Sequence, residues 1–164
     1  MAKPAKPSTP RSAPPDAAVR QRIEEARAHC ASRGAQLTET RALVLELLLR
    51  HDGAAKAYDL LAAMQAKSAG VAPMTVYRAL DFLVEQDLVH KVESNSSFVV
   101  CQHEHHPHHD PVFMVCQRCG SATECEDPQM SKFLSRALGA SGFHAHGVEI
   151  KGECGSCSDR QAGR

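Results

Sequence analysis

Apolar residues recur at helical spacing through the first half of the chain. Val19, Ile23, Ala26 and Cys30 follow Asp16, which can cap a first helix, and Gly34 can end it. Thr38 opens a second helix, TETRALVLELLLRHDG, with Leu43, Val44, Leu47 and Leu48 as its apolar stripe and Gly53 past its end. AYDLLAAMQAK reads as a third helix with Leu60, Leu61 and Met64 inward. After the break SAGVAP, MTVYRALDFLVEQ reads as a fourth. At about 100° per residue, Val76, Ala79, Leu80 and Leu83 share one side of that helix, while Tyr77, Arg78 and Asp81 share the other.

The period then changes from helical to alternating. DLVHKVE and SFVVC read as strands around the turn-rich Ser94-Asn95-Ser96. Two short successive helices joined by a tight break, then a hairpin, predict a winged helix-turn-helix. The plainer alternative is a four-helix protein with an incidental hairpin. Tyr77 and Arg78 on an outward helical face can reach phosphates and base edges in a major groove.

Beyond a histidine-rich stretch, PVFMVC and SATECE read as short strands. Asp127 caps a helix that has Pro128 at its first position, with Met130, Phe133, Leu134 and Leu138 inward and Gly139 and Gly142 breaking it. HGVEIKGEC alternates as a last strand. A unit of roughly 50 residues is marginal alone and usually needs a metal or a partner chain. The expected fold class is therefore α+β, a winged-helix domain followed by a small α/β domain. The expected divisions are a tail at 1–15, the winged helix at 16–98, a His-rich hinge at 99–110 and the metal-binding unit at 111–160.

Charge adds little to this picture. The chain is neutral overall, but residues 1–92 carry 13 Lys and Arg against 10 Asp and Glu, and residues 93–164 carry 6 against 9. A basic first half suits a nucleic-acid partner. The first residues, MAKPAKPSTPRSAPPDAA, have no apolar stretch of the kind a secretory signal needs, and no apolar run is long enough to span a membrane. A cytoplasmic location is the expectation.

Seven cysteines change the picture more. Cys116-Gln117-Arg118-Cys119 and Cys154-Gly155-Ser156-Cys157 are two C-x-x-C pairs. Such spacing lets both thiolates of a turn point at one ion, and two turns complete a tetrahedral four-cysteine zinc site. Gly120 and Gly155 are expected to permit the tight backbone of these knuckles. A redox dithiol is the rival reading, but it needs only one pair and a βαβ context. Further candidate ligands are His90, Cys101, Glu124 and the tract with His103, His105, His106, His108 and His109. Cys30 and Cys125 are left over as packed thiols.

TVYRALDFLVEQDLVHKVES, the adjoining SFVVC and the paired C-x-x-C motifs together resemble the ferric uptake regulator family, and within it the zinc-uptake regulators. The likeness runs from residue 20 to residue 157. It implies a homodimeric, metal-activated repressor acting on a palindromic DNA operator, with an N-terminal winged helix and a C-terminal dimerisation domain. Carried over by position, a structural zinc takes Cys116, Cys119, Cys154 and Cys157. A regulatory zinc takes His90, Cys101, His109 and Glu124, with His108 as the neighbouring choice in the linker. Tyr58, Thr75, Tyr77 and Arg78 match positions at or near the operator.

That count gives two zinc ions per subunit. His144 and His146 lie near where some members place a further ligand, which leaves a third site open. One thiolate beside two imidazoles and a carboxylate favours zinc over ferrous iron or manganese. The alternatives are an iron- or peroxide-sensing regulator of the same family, or a zinc-storage protein. A zinc hydrolase needs an open coordination position and a general base, and the chain has no H-E-x-x-H; no catalytic residue is expected.

Overall fold

The structure, a computed structural model, describes residues 14–51, 53–101, 111–125, 127–143, 145 and 147–162. The chain divides into two units. One comprises residues up to Lys91 with Ser97–Cys101; the other comprises Val92–Ser96 with residues from Gln102 onward. Apart from Pro14 and Pro15, the expected tail lies outside the described residues, as does most of the expected hinge.

In the first unit, α1 (Asp16–Ser32), α2 (Glu39–Arg50), α3 (Ala57–Lys67) and α4 (Pro73–Glu85) pack with a three-stranded sheet. Its strands are β1 (Ala55–Lys56), β2 (Val89–Val92) and β3 (Ser97–Val100), in the order β1-β3-β2. The fourth-helix face read from the sequence is the buried one: Val76, Ala79, Leu80 and Leu83 are each at most 3% exposed. They join Val44, Leu48, Leu60, Leu61, Met64, Val89 and Phe98 in one core.

Three details differ from expectation. Asp16 is the first helical residue rather than the cap, and its carboxylate accepts from Arg50 at 2.7 Å. In α2, Ala42, Val44, Leu45 and Leu48 are buried, whereas Leu43 and Leu47 are only partly covered. The strand β1 was not expected; it pairs antiparallel with β3, Ala55 opposite Phe98.

The second unit holds β4 (Val112–Cys116), β5 (Ala122–Glu124), α5 (Pro128–Gly139), β6 (Val148–Gly152) and α6 (Gly155–Ala162). β4 is central: antiparallel to β5, and parallel to β6 from Val112↔Val148 to Cys116↔Gly152. Asp127 caps α5, its carboxylate accepting from the Gln129 N–H at 2.8 Å. The inward face expected of α5 is not buried in the single subunit. Met130, Leu134 and Leu138 are half-covered, and Phe133 is 59% exposed. An amphipathic stripe marks a face that wants cover without saying which molecule supplies it.

Within the same unit, Glu149 of β6 accepts from the backbone N–H groups of Glu93 and Ser94 at 2.7 and 3.2 Å. Burial pushes its carboxyl up, but hydrogen bonds from Ser94 and Glu93, with Lys151 nearby, hold it below the usual glutamate value.

Candidate metal centre and nucleic-acid interface

Because β4 and β6 run parallel, their C-terminal ends lie side by side, and each feeds a C-x-x-C pair. Gln117 N–H donates to the Gly152 carbonyl at 2.8 Å, tying the two exits together. The first turn closes with Gly120 N–H on the Cys116 carbonyl at 2.9 Å, and Gly120 has φ +74°, where a side chain would be strained. Gly155 needs no such freedom, contrary to expectation. It opens α6, and Cys157 sits in that helix's first turn.

The ligand atoms of Cys116, Cys119, Cys154 and Cys157 all lie within 4.8 Å of one another. A tetrahedron of thiolates around zinc at about 2.3 Å has sulfur–sulfur edges of about 3.8 Å. Cys119 Sγ and Cys154 Sγ are 3.8 Å apart. Backbone N–H groups of Cys119 and Cys154 pull the Cys116 thiol down to about 6. Ser121, whose Oγ is 3.2 Å from Cys119 Sγ, lowers the Cys119 thiol. Cys157 is pushed up to about 12, first by the Cys154 sulfur and then by burial. Four thiols at this range cannot all ionise without a cation among them, and zinc fits both the donor set and the spacing.

One supporting residue was not foreseen. Arg118, inside the first pair, donates to the Cys157 carbonyl at 2.8 Å and lies 3.7 Å from Glu153, so it bridges the two knuckles. A middle residue of C-x-x-C carries no sequence signal for that role. Of the leftover thiols, Cys30 is fully buried and Cys125 only half-buried.

Among the described residues, the four cysteines are the one group of three or more potential ligands close enough to share an ion. The other expected ligands within the described residues come from three different strands or their ends. His90 is half-buried in β2, and Cys101, 6% exposed, follows β3, the adjacent strand. Cys101 N–H donates to the Leu88 carbonyl at 3.0 Å, and its own carbonyl accepts from Arg22 at 2.8 Å. Glu124 is buried at the end of β5 in the second unit. His109 and His108 lie outside the described residues, as do His103, His105, His106, His144 and His146.

The outward face of the helix-turn-helix carries Tyr58, 76% exposed in the first turn of α3, and Tyr77 and Arg78, exposed on α4; Thr75 is half-covered. Met74, not singled out from the sequence, is 57% exposed on the same helix. No described helix is long and apolar enough to cross a membrane.

This architecture matches known proteins along most of its length. The chain is 39% identical over 145 residues to the zinc uptake regulation protein of Escherichia coli K12, covering 87% of this chain and 84% of that protein. A solved zinc uptake regulator in complex with zinc and DNA superposes with a TM-score of 0.76 at 36% identity, covering 88% of this chain and 97% of that one. The holo form of XcZur superposes at 0.68 with 39% identity, covering 84% and 96%. The family model for ferric uptake regulators matches residues 32–152, and the chain belongs to that family.

Proposed function

We propose that this protein is a zinc-responsive, DNA-binding transcriptional repressor of zinc-uptake and zinc-homeostasis genes, acting as a homodimer on a palindromic operator. The four-thiol cluster at zinc spacing, in a chain 39% identical to a zinc uptake regulation protein, carries this reading. A regulator of chromosomal genes works in the cytoplasm. The protein binds rather than catalyses: in both proposed metal sites the ligands come from the protein, leaving no open position for a reacting water.

Each subunit takes two zinc ions in this reading. Cys116, Cys119, Cys154 and Cys157 hold the structural ion. His90, Cys101, Glu124 and a linker histidine, His109 or its neighbour His108, hold the sensing ion; His144 and His146 are where a third would be sought. Zinc, when bound, supplies a rigid tetrahedral junction. Residues 16–98 form the DNA-reading domain, 99–110 the hinge and 111–160 the dimerising domain. Exposed Met114, Phe133, Phe143 and Ile150 in the second unit support a partner subunit there; Met114 and Ile150 are neighbours in the β4–β6 register. Tyr58, Thr75, Tyr77 and Arg78 face the operator. Zinc and DNA must strengthen each other's binding equally, because the coupling free energy between two sites is reciprocal.

An operator gel shift titrated with zinc, iron and manganese at buffered free concentrations tests the reading. Zinc is expected to drive binding at the lowest free concentration; iron or manganese doing so overturns it. Cys101→Ser keeps the dimer and the structural zinc but loses zinc-dependent DNA binding, read by size exclusion, metal analysis and the same gel shift. A variant that still binds the operator in response to zinc places the sensor elsewhere.

A further inference from the structure

We infer that Met74 determines operator sequence by packing against the 5-methyl group of a thymine in the major groove, an inference that rests on the DNA-binding reading above. A single exposed apolar side chain means little by itself. The place of this one decides the matter. Among the described residues of the first unit, the exposed large hydrophobic ones are Tyr58, Met74 and Tyr77. Tyr58 and Met74 are the second residues of α3 and α4, and Tyr77 follows one turn into α4. All three sit at the N-terminal ends of the two helices of the helix-turn-helix, and a recognition helix reads base edges with its N-terminal residues.

The angular position is as informative. With Met74 at 0° and about 100° per residue, Val76, Ala79, Leu80 and Leu83 of the buried face centre near 190°. Met74 therefore points almost directly away from the core. Arg78 falls near +40° and Tyr77 near −60°, so Met74 lies between them.

Its chemistry then limits what it can read. A thioether donates no hydrogen bond and accepts only weakly. Its unbranched, polarizable chain fits irregular apolar contacts. Among the major-groove edges of the four bases, the thymine methyl is the apolar group. Arg78, beside it, has the fork that suits guanine.

Selection from a random duplex library by the zinc-loaded full-length protein tests this. The wild type is expected to fix a thymine at one position per half-site. Replacing that thymine by deoxyuridine, which removes only the methyl, is expected to weaken binding about fourfold per half-site, the effect of one lost buried carbon group. Met74→Ser is expected to bind the thymine and deoxyuridine duplexes equally and to lose the preference in selection. Met74→Leu is expected to keep both, which separates apolar contact from mere folding.

Deoxyuridine leaving the wild type unaffected, or weakening Met74→Ser as much as wild type, overturns the inference while leaving the repressor reading intact. A library that yields no zinc-dependent sequence preference overturns the repressor reading, and the inference with it.

Discussion

The two units of this chain stay folded by different means. In the first, every helix contributes to one core: Ala26 and Cys30 from α1, Val44 and Leu48 from α2, Leu60 and Met64 from α3, Leu80 and Leu83 from α4. In the second, α5 contributes no buried residue, and the covered positions are mostly those of β4, with Ala122, Glu124, Cys116 and Cys157. Four of its large apolar side chains, Met114, Phe133, Phe143 and Ile150, are 45% exposed or more. The first unit is a hydrophobic fold in the ordinary sense. The second is a sheet with a four-cysteine cluster at its strand ends and apolar side chains left exposed in the single subunit. On the proposed reading the protein divides its labour, with a DNA-reading face on a self-sufficient core and metal-dependent assembly on a unit that is incomplete alone.

Removing the staple is the strongest test of that contrast. Cys154→Ser is expected to empty the four-cysteine site, dissociate the dimer and unfold the second unit while the first stays folded; chelation of the wild type strips both proposed zinc sites and is expected to do the same. Structural zinc sites of this kind contribute roughly 10–16 kcal/mol of apparent binding free energy at neutral pH, which is folding free energy where no preformed site exists. Residue-resolved hydrogen exchange, with metal analysis and size exclusion, reads all three; a second unit that keeps its protection without zinc would falsify the division. Acid acts in the same direction. Zinc binding expels the thiol protons, so affinity falls as pH falls. Acidification is expected to release this zinc before the first unit loses its structure.

The converse lesion sharpens the other side. Leu80 is fully buried, and Leu80→Ala is expected to cost about 2–5 kcal/mol through the lost contacts and the cavity left behind. Urea unfolding of the first unit shifts accordingly, with the zinc of the four-cysteine site retained. A loss of zinc from the four-cysteine site in this variant would show that the units are not independent. The smallest expected effect is local: Asp127→Ala removes the N-cap of α5 and is expected to cost about 1 kcal/mol. Faster amide exchange at Gln129, confined to the start of α5, is the readout.

The contrast also explains what could be read from the sequence. The fourth-helix face was legible because Val76, Ala79, Leu80 and Leu83 are buried by their own unit, and helical period records that directly. The four cysteines were legible because two-residue spacing is itself the chemical requirement. The burial of α5 was not: Phe133 has the right period, but it is 59% exposed and nothing in the period says what covers it. β1 is two residues long, too short for any period, and exists only through its pairing with β3. α6, GSCSDRQA, has no apolar stripe to announce it. Met74 fell outside the buried-face pattern, since an exposed apolar residue leaves no mark in periodicity.

The parallel pairing of β4 with β6 also sets a timetable. The β4–β5 hairpin is local and can close as soon as it is made, whereas β6 can pair with β4 only after β5 and α5 have been made. Cys116 and Cys154 are 38 residues apart. At ribosomal rates of about 5–20 residues per second, the first knuckle waits roughly 2–8 s for its second pair of thiols. A copy released before Cys154 is made has half of the four-thiol cluster, and only the backbone pairing of β4 with β6 to join the two strand ends. If the zinc site is what the dimer rests on, such a copy is expected to stay out of the dimer, and completion of the chain becomes a condition for reaching DNA.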